Sequence, residues 1–135
     1  MKRDIFVDTG AFIAMRVQDD ADHGKAVTFL KIIKEQKLRV HTTNFILNEV
    51  YTYFCRAHDI VVEKAELIGN NPLITLHRVD AGQEEQAWKI LKSFADKDFS
   101  YTDATSFVVM ESLGIETVFA FDDHFRQYGK FIVVP

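Results

Sequence analysis

The chain has 135 residues, of which 47% are hydrophobic and 27% are charged, and its 16 basic and 20 acidic side chains give a net charge of −4. This size and balance predict one globular domain over residues 1–135 with a substantial core. The acidic total argues against a module that holds nucleic acid by charge alone, because such modules are usually basic. It leaves open an enzyme that acts on nucleic acid, since metal-binding carboxylates add to the total and local basic patches can still steer a substrate.

The chain shows no sign of membrane attachment or secretion. No apolar run approaches the roughly 18 residues of a membrane span, and residues 1–4 lead into a short strand without the hydrophobic region of a signal peptide. The single cysteine, Cys55, excludes an internal disulfide and fits a reducing cytoplasm. Its apolar neighbours predict a buried, inert thiol. We therefore expect a cytoplasmic protein with no membrane partner.

Short apolar runs alternate with helical patterns in the first half of the chain. The clearest helix carries Ala26, Phe29, Leu30 and Ile33 at spacings of three and four residues. In chain order we predict a strand at 5–7, helices at 9–16 and 22–36, a strand at 38–41, a helix beginning at Thr43 or Asn44, and a helix at 59–68.

The second half continues the alternation. Asp80, with Gln83 three residues later, has the spacing of a capping box, and Gly114 and Gly129 are placed to end helices. We predict a strand at 73–76, a helix after Asp80, a helix at 100–113, a strand at 118–121, a helical turn at 122–128 and a strand at 131–134. Short apolar strands separated by helices predict an α/β fold with a five-stranded parallel sheet in a three-layer α/β/α arrangement.

Four acidic residues lie at or beside the apolar runs where strand and helix meet: Asp8, Glu49, Asp103 and Asp122. Ligands of parallel α/β folds bind at the carboxyl ends of strands, and Asp8 and Asp122 both follow strands. A cluster of carboxylates is costly unless a divalent cation neutralises it. The four residues therefore predict metal-assisted chemistry on a phosphate group.

Each of these acids also has a purely structural interpretation. Asp8 could cap the helix that follows it, and Ser100 with Asp103 could form a capping box that only satisfies backbone donors. Glu49 could be solvated on its helix, and Asp122 could be a turn residue. Any one of these alternatives is reasonable, but all four together would place four acids at one sheet edge by chance.

The same residues resemble the motifs of the PIN-domain (PilT N-terminal) nucleases, and within them the single-domain ribonuclease toxins of the VapC type. The resemblance covers essentially the whole chain, and the motif around Asp103 is the most specific. The four motifs, in order, are IFVDTGAF at 5–12, TTNFILNEV at 42–50, DFSYTDA at 98–104 and VFAFDDHF at 118–125.

This resemblance implies a five-stranded parallel sheet and a Mg²⁺- or Mn²⁺-dependent endoribonuclease. It implies that Asp8, Glu49, Asp103 and Asp122 are the catalytic and metal-binding acids. Thr9 or Thr102 would supply a supporting hydroxyl, and Asp123 could share the role of Asp122. The implied partners are an RNA substrate, a cognate antitoxin and a second copy in a homodimer. A stand-alone PIN nuclease in RNA processing would have the same sequence features.

Other classes of protein fit the sequence less well. A haloacid-dehalogenase-type phosphatase would need a second Asp two residues after Asp8, where the chain has Gly10. A nucleotide triphosphatase would need a glycine-rich phosphate loop, which is missing. A non-catalytic binding module on the same fold would need no acidic quartet. The five histidines show no zinc-site spacing, although His124 lies beside Asp122, and Trp88 is predicted to lie in the core.

Overall fold

The computed structural model describes residues 3–57 and 68–135. The predicted helix at 59–68 therefore lies, apart from its last residue, outside the described residues. The described elements are β1 (Asp4–Val7), α1 (Thr9–Arg16), α2 (His23–Gln36), β2 (Arg39–Thr43), α3 (Asn44–Ala57), β3 (Ile74–His77), α4 (Ala81–Ser93), α5 (Tyr101–Leu113), β4 (Thr117–Phe119), α6 (His124–Tyr128) and β5 (Ile132–Val134).

The five described strands form one parallel sheet in the order β3-β2-β1-β4-β5, which confirms the predicted fold class. Because crossovers between parallel strands are right-handed, α1 to α3 lie on one face of the sheet and α4 to α6 on the other. The chain moves one way along the sheet from β1 to β3 and the other way from β4 to β5. This change of direction creates a topological switch point between β1 and β4, where such folds bind ligands.

Strand boundaries differ from the sequence prediction by one or two residues. β2 runs on to Thr43, because Thr42 and Thr43 pair with the end of β3 and are almost fully buried. β4 ends at Phe119, two residues before the predicted end. The residues that follow β4 are therefore free to form the loop that carries Asp122.

The core is built from aromatic and branched side chains of the sheet and the helices facing it. Phe6, Phe54, Phe107, Phe119 and Phe125 are among its largest fully buried members. Among residues 3–57 and 68–135, no helix has both the length and the apolar character needed to cross a bilayer.

A cluster of rings joins α5 and α6 beneath the switch point. The Phe107 ring stacks on Tyr128 with 4.3 Å between centroids and meets Phe125 and Phe99 edge-on, each at 5.1 Å. Phe99 in turn contacts the His124 ring at 5.8 Å. Since α5 carries Asp103 and α6 begins at His124, this cluster fixes the relative position of two polar groups at the sheet edge.

We expect Phe107→Ala to lower the free energy of unfolding by about 3–5 kcal/mol, because it removes a fully buried ring from this cluster and leaves a cavity. Urea denaturation monitored by circular dichroism measures the loss. Leu113→Ala on the same helix is the matched control; Leu113 is exposed, so we expect a change within about 0.5 kcal/mol. Equal effects of the two substitutions would contradict the role assigned to the ring cluster.

Candidate active site

Asp8 lies at the carboxyl end of β1 and directly before α1. Its backbone is extended and its carbonyl accepts hydrogen bonds from Ala11 and Phe12, so the residue occupies the N-cap position. Its carboxylate, however, makes no capping hydrogen bond, which makes the capping interpretation of this side chain wrong. The residue is only 4% exposed, and within the described part of the chain no cation pairs with it. A buried carboxylate in this state needs a neutralising partner.

The pKa of Asp8 is raised by its burial and by the acidic groups around it. Burial raises this pKa well above its ordinary value, and the negative charges of Asp122, Asp103 and Glu49 raise it further, while the backbone amide of Thr9 opposes the rise. The structure therefore brings the four predicted acids close enough to interact, although they come from four separate parts of the chain.

Asp103 has a structural role and remains available for a second one. It is the third residue of α5, where the Ser100 amide donates to Oδ2 of Asp103 and the Asp103 amide donates to the Ser100 hydroxyl, both at 3.0 Å. This confirms the predicted capping box. The residue is 5% exposed. Burial raises its pKa above the ordinary value, and Asp122 adds to the rise, whereas the Ser100 amide and His124 lower it.

Asp122 and Asp123 follow β4, and their side chains take different directions. Oδ1 of Asp122 accepts a hydrogen bond from the His124 amide at 3.0 Å, so Asp122 is also a turn residue, as one interpretation predicted. Oδ2 of Asp122 faces the His124 ring, with 4.0 Å to Nδ1. The Asp123 side chain is 78% exposed and lies 3.7 Å from Arg126. Of the two neighbours, Asp122 is the one at the site.

Glu49 is tied to the start of α1. Its Oε1 accepts a hydrogen bond from the Thr9 hydroxyl at 2.5 Å, so the interpretation of Glu49 as a solvated residue is wrong. Thr9 thus holds a carboxylate of α3 beside the end of β1. Thr102, the other candidate hydroxyl, makes no hydrogen bond to a site carboxylate among the residues that the structure describes; its carbonyl accepts from the Thr105 hydroxyl at 2.8 Å.

His124 is a member of the site that the sequence analysis left out of the metal-binding set and noted only for its position beside Asp122. Asp103, Asp122 and His124 each offer one ligand atom, and the three atoms lie within 4.8 Å of one another. The histidine stands two residues after Asp122 and begins α6, and this position within the fourth motif was the only signal in the sequence. Asp8 and Glu49 fall outside this group of three, but Asp8 interacts electrostatically with both of its acids and with Glu49, and carboxylate oxygens are ligands that suit Mg²⁺ or Mn²⁺.

Two other sequence interpretations are wrong. Trp88 is 56% exposed rather than in the core, and Cys55 is exposed rather than buried. The Trp88 ring lies 5.8 Å from Tyr101, whose ring is also 5.8 Å from Phe45. Both residues were judged from apolar neighbours in the sequence, which do not show which face of an amphipathic helix meets the sheet.

The fold and the site define an α/β protein with a cluster of carboxylates at the switch point of a parallel sheet. The chain belongs to the PIN domain family, whose sequence profile matches residues 5–131.

Two known proteins are similar to this chain: one in sequence over almost the whole length of both chains, and one in its fold. The chain is 35% identical over 133 residues to the 23S rRNA-specific endonuclease VapC20 of Mycobacterium tuberculosis, and the match covers 97% of this chain and 98% of that protein. The crystal structure of that sarcin–ricin loop cleaving toxin superposes with a TM-score of 0.85, over 97% of this chain and 99% of that one. FitAcB from Neisseria gonorrhoeae, at 17% identity and a TM-score of 0.67 over 97% and 96% of the two chains, shares the fold.

We expect Asp8→Asn to stabilise the metal-free protein, because it removes a buried negative charge that three other carboxylates repel. In a chelating buffer at neutral pH, its melting temperature should exceed that of the wild type by at least about 3 °C, the shift produced by roughly 1 kcal/mol in a domain of this size. Differential scanning calorimetry measures the difference. Asp123→Asn removes an exposed charge from the residue that follows Asp122, and it should change the melting temperature little. A less stable Asp8→Asn protein would show that the carboxylate is not under repulsion.

Proposed function

We propose that this protein is a divalent-metal-dependent endoribonuclease that hydrolyses RNA phosphodiester bonds, and that it is the toxin of a toxin–antitoxin pair. The observation that carries the proposal is the convergence of four carboxylates at the switch point, with Asp8 buried and lacking a cationic partner within the described residues. The similarity to an RNA-cleaving toxin over nearly the full length of both chains supports the choice of RNA as substrate.

Asp8, Glu49, Asp103 and Asp122 would hold Mg²⁺ or Mn²⁺, with Asp8 and Asp103 as the most direct ligands. A cation bound here polarises the scissile phosphodiester and offsets the negative charge that develops during in-line attack. Glu49 and Asp122, the more accessible carboxylates of the four, complete the site and orient the attacking water.

The backbone and Thr9 prepare these carboxylates for that task. The Ser100 amide donates a hydrogen bond to Oδ2 of Asp103 and so fixes the position of this carboxylate. The His124 amide holds Oδ1 of Asp122, and the Thr9 hydroxyl holds Oε1 of Glu49. Such outer interactions orient metal ligands and tune their affinity. Three of the four carboxylates are therefore fixed in place by hydrogen bonds from groups that are not acidic.

The relative's printed activity suggests the first RNA to test. We propose a structured ribosomal RNA as the substrate class, with the sarcin–ricin loop of 23S rRNA as its first representative. We also propose a cognate antitoxin protein as the physiological partner and the cytoplasm as the location, which fits an RNA substrate and a chain with one cysteine.

The deciding experiment incubates wild type, Asp8→Asn and Asp103→Asn with a labelled sarcin–ricin loop RNA in Mg²⁺, in Mn²⁺ and in a chelator. We expect cleavage by the wild type only with metal, and a loss of at least about 100-fold in each variant, the upper end of what outer-shell changes cost at metal sites. Asp123→Asn is the matched control for a charge outside the cluster. Folded wild-type protein that binds this and other structured RNAs without cutting any of them would indicate a non-catalytic PIN module instead.

Thr9 offers a separate test of how Glu49 is positioned. We expect Thr9→Val to lower the cleavage rate about 10–100-fold, because it keeps the shape of the side chain but removes the hydroxyl that holds Glu49. Thr9→Ser retains the hydroxyl and should retain most of the activity. Single-turnover kinetics at saturating Mg²⁺ measures both variants, and equal rates for Thr9→Val and wild type would rule out the positioning role.

A further inference from the structure

His124 carries a buried nitrogen atom that the structure leaves without a hydrogen bond. Within residues 3–57 and 68–135, Nδ1 of His124 is one of two buried side-chain polar atoms that lack a hydrogen-bond partner; the other is the Ser106 hydroxyl. Nδ1 of His124 lies only 2.6 Å from Oδ2 of Asp103, but this approach lacks the alignment of a hydrogen bond. Buried polar atoms are nearly always satisfied in native proteins, so an orphaned one needs an explanation such as a bound ion.

The imidazole ring is held where its Nδ1 faces the acids. His124 is the first residue of α6, and its amide is bound to Oδ1 of Asp122. Its ring makes a T-shaped contact with the Phe99 ring, with 5.8 Å between centroids and 77° between the ring planes. Oδ2 of Asp122 lies 4.0 Å from Nδ1. The ring is therefore fixed from its backbone side and from one face, while Nδ1 points toward two carboxylates.

The three side chains provide a donor set with a distinct preference among metals. The ligand atoms of Asp103, Asp122 and His124 lie within 4.8 Å of one another, close enough to share one ion after small side-chain adjustments. An imidazole nitrogen is a ligand of choice for transition metals, whereas Mg²⁺ prefers an all-oxygen environment. A neutral imidazole also adds a ligand without adding to the negative charge that already raises the pKa of Asp8.

We infer that His124 is a direct nitrogen ligand of the catalytic cation, and that this ligand makes the site favour Mn²⁺ over Mg²⁺. The inference rests on the proposed function, because it concerns the same cation. It differs from that function in assigning a ligand outside the four acids. It also distinguishes two roles for His124. A histidine that binds the cation supplies a nitrogen ligand, whereas a histidine that only contacts Asp103 does not.

Mn²⁺ itself is the probe that tests this assignment, because electron spin echo spectroscopy detects nitrogen bound to the ion without any substrate. Wild-type protein with all histidines labelled by ¹⁵N is compared with unlabelled protein and with His124→Asn. We expect a nitrogen coupling in the wild type that changes with the isotope and disappears in His124→Asn. Calorimetric titration should show Mn²⁺ binding weakened at least about tenfold in His124→Asn, and Mg²⁺ binding weakened by less than about threefold.

The controls separate this inference from the proposed function. Asp123→Asn, which alters the neighbouring exposed side chain, should keep the nitrogen coupling. Mn²⁺ that binds wild type with no histidine coupling, or a coupling that survives in His124→Asn, would overturn the nitrogen ligand while leaving the acidic site intact. Wild-type protein that binds neither Mn²⁺ nor Mg²⁺ would overturn both the inference and the metal-dependent function. The wild-type spectrum shows whether a histidine nitrogen binds the ion, so a missing coupling overturns the inference whatever the stability of the variant. The loss of the coupling in His124→Asn then assigns the nitrogen to His124.

Discussion

Repulsion among buried carboxylates is the constraint on which the site depends. β1 and β4 are neighbours in the sheet although more than a hundred residues separate them in the chain, and their carboxyl ends deliver Asp8 and Asp122 to one crevice. Glu49 and Asp103 arrive from helices on opposite faces of the sheet. Each added carboxylate raises the cost of keeping Asp8 charged. This electrostatic cost arises at the switch point between β1 and β4. A divalent cation bound there would offset it.

The surroundings of the acids hold them together against that repulsion. Hydrogen bonds from groups that are not acidic fix three of them: the capping box at the start of α5, the Asp122 turn, and the bond from Thr9 to Glu49. The ring cluster around Phe107 then fixes α5 against α6. Since these contacts do not require a metal, they fix the positions of the carboxylates whether or not a cation is bound. Such preparation reduces the ordering that binding must impose.

The sequence predicted the architecture well because each signal was local. Apolar runs gave the strands, spacings of three and four gave the helices, and Gly114, with φ of 68°, ends α5 as predicted. Strand ends were less exact: β2 was predicted to end at 41, with Thr43 or Asn44 beginning the next helix, but Thr42 and Thr43 pair within the sheet. Sheet order and the faces of helices depend on tertiary packing, which explains why Trp88 was assigned to the core. All four acids were singled out by their positions beside apolar runs, but only Asp8 and Asp122 follow strands; the family resemblance then implied a shared catalytic role for Glu49 and Asp103 as well.

The structural and the catalytic interpretations of an acid turn out not to exclude each other. Asp103 uses Oδ2 for its capping box, and Asp122 uses Oδ1 for its turn. A carboxylate has two oxygens and about four acceptor sites, so a side chain fixed by one hydrogen bond keeps acceptor sites for a second role. Oδ2 of Asp103, which serves the capping box, also lies 2.6 Å from Nδ1 of His124. Asp8 is the exception, because its carboxylate makes no capping hydrogen bond and therefore does not stabilise the start of α1. A buried carboxylate without such a structural role is the strongest indication of a ligand among the four acids, and Asp8 is that carboxylate.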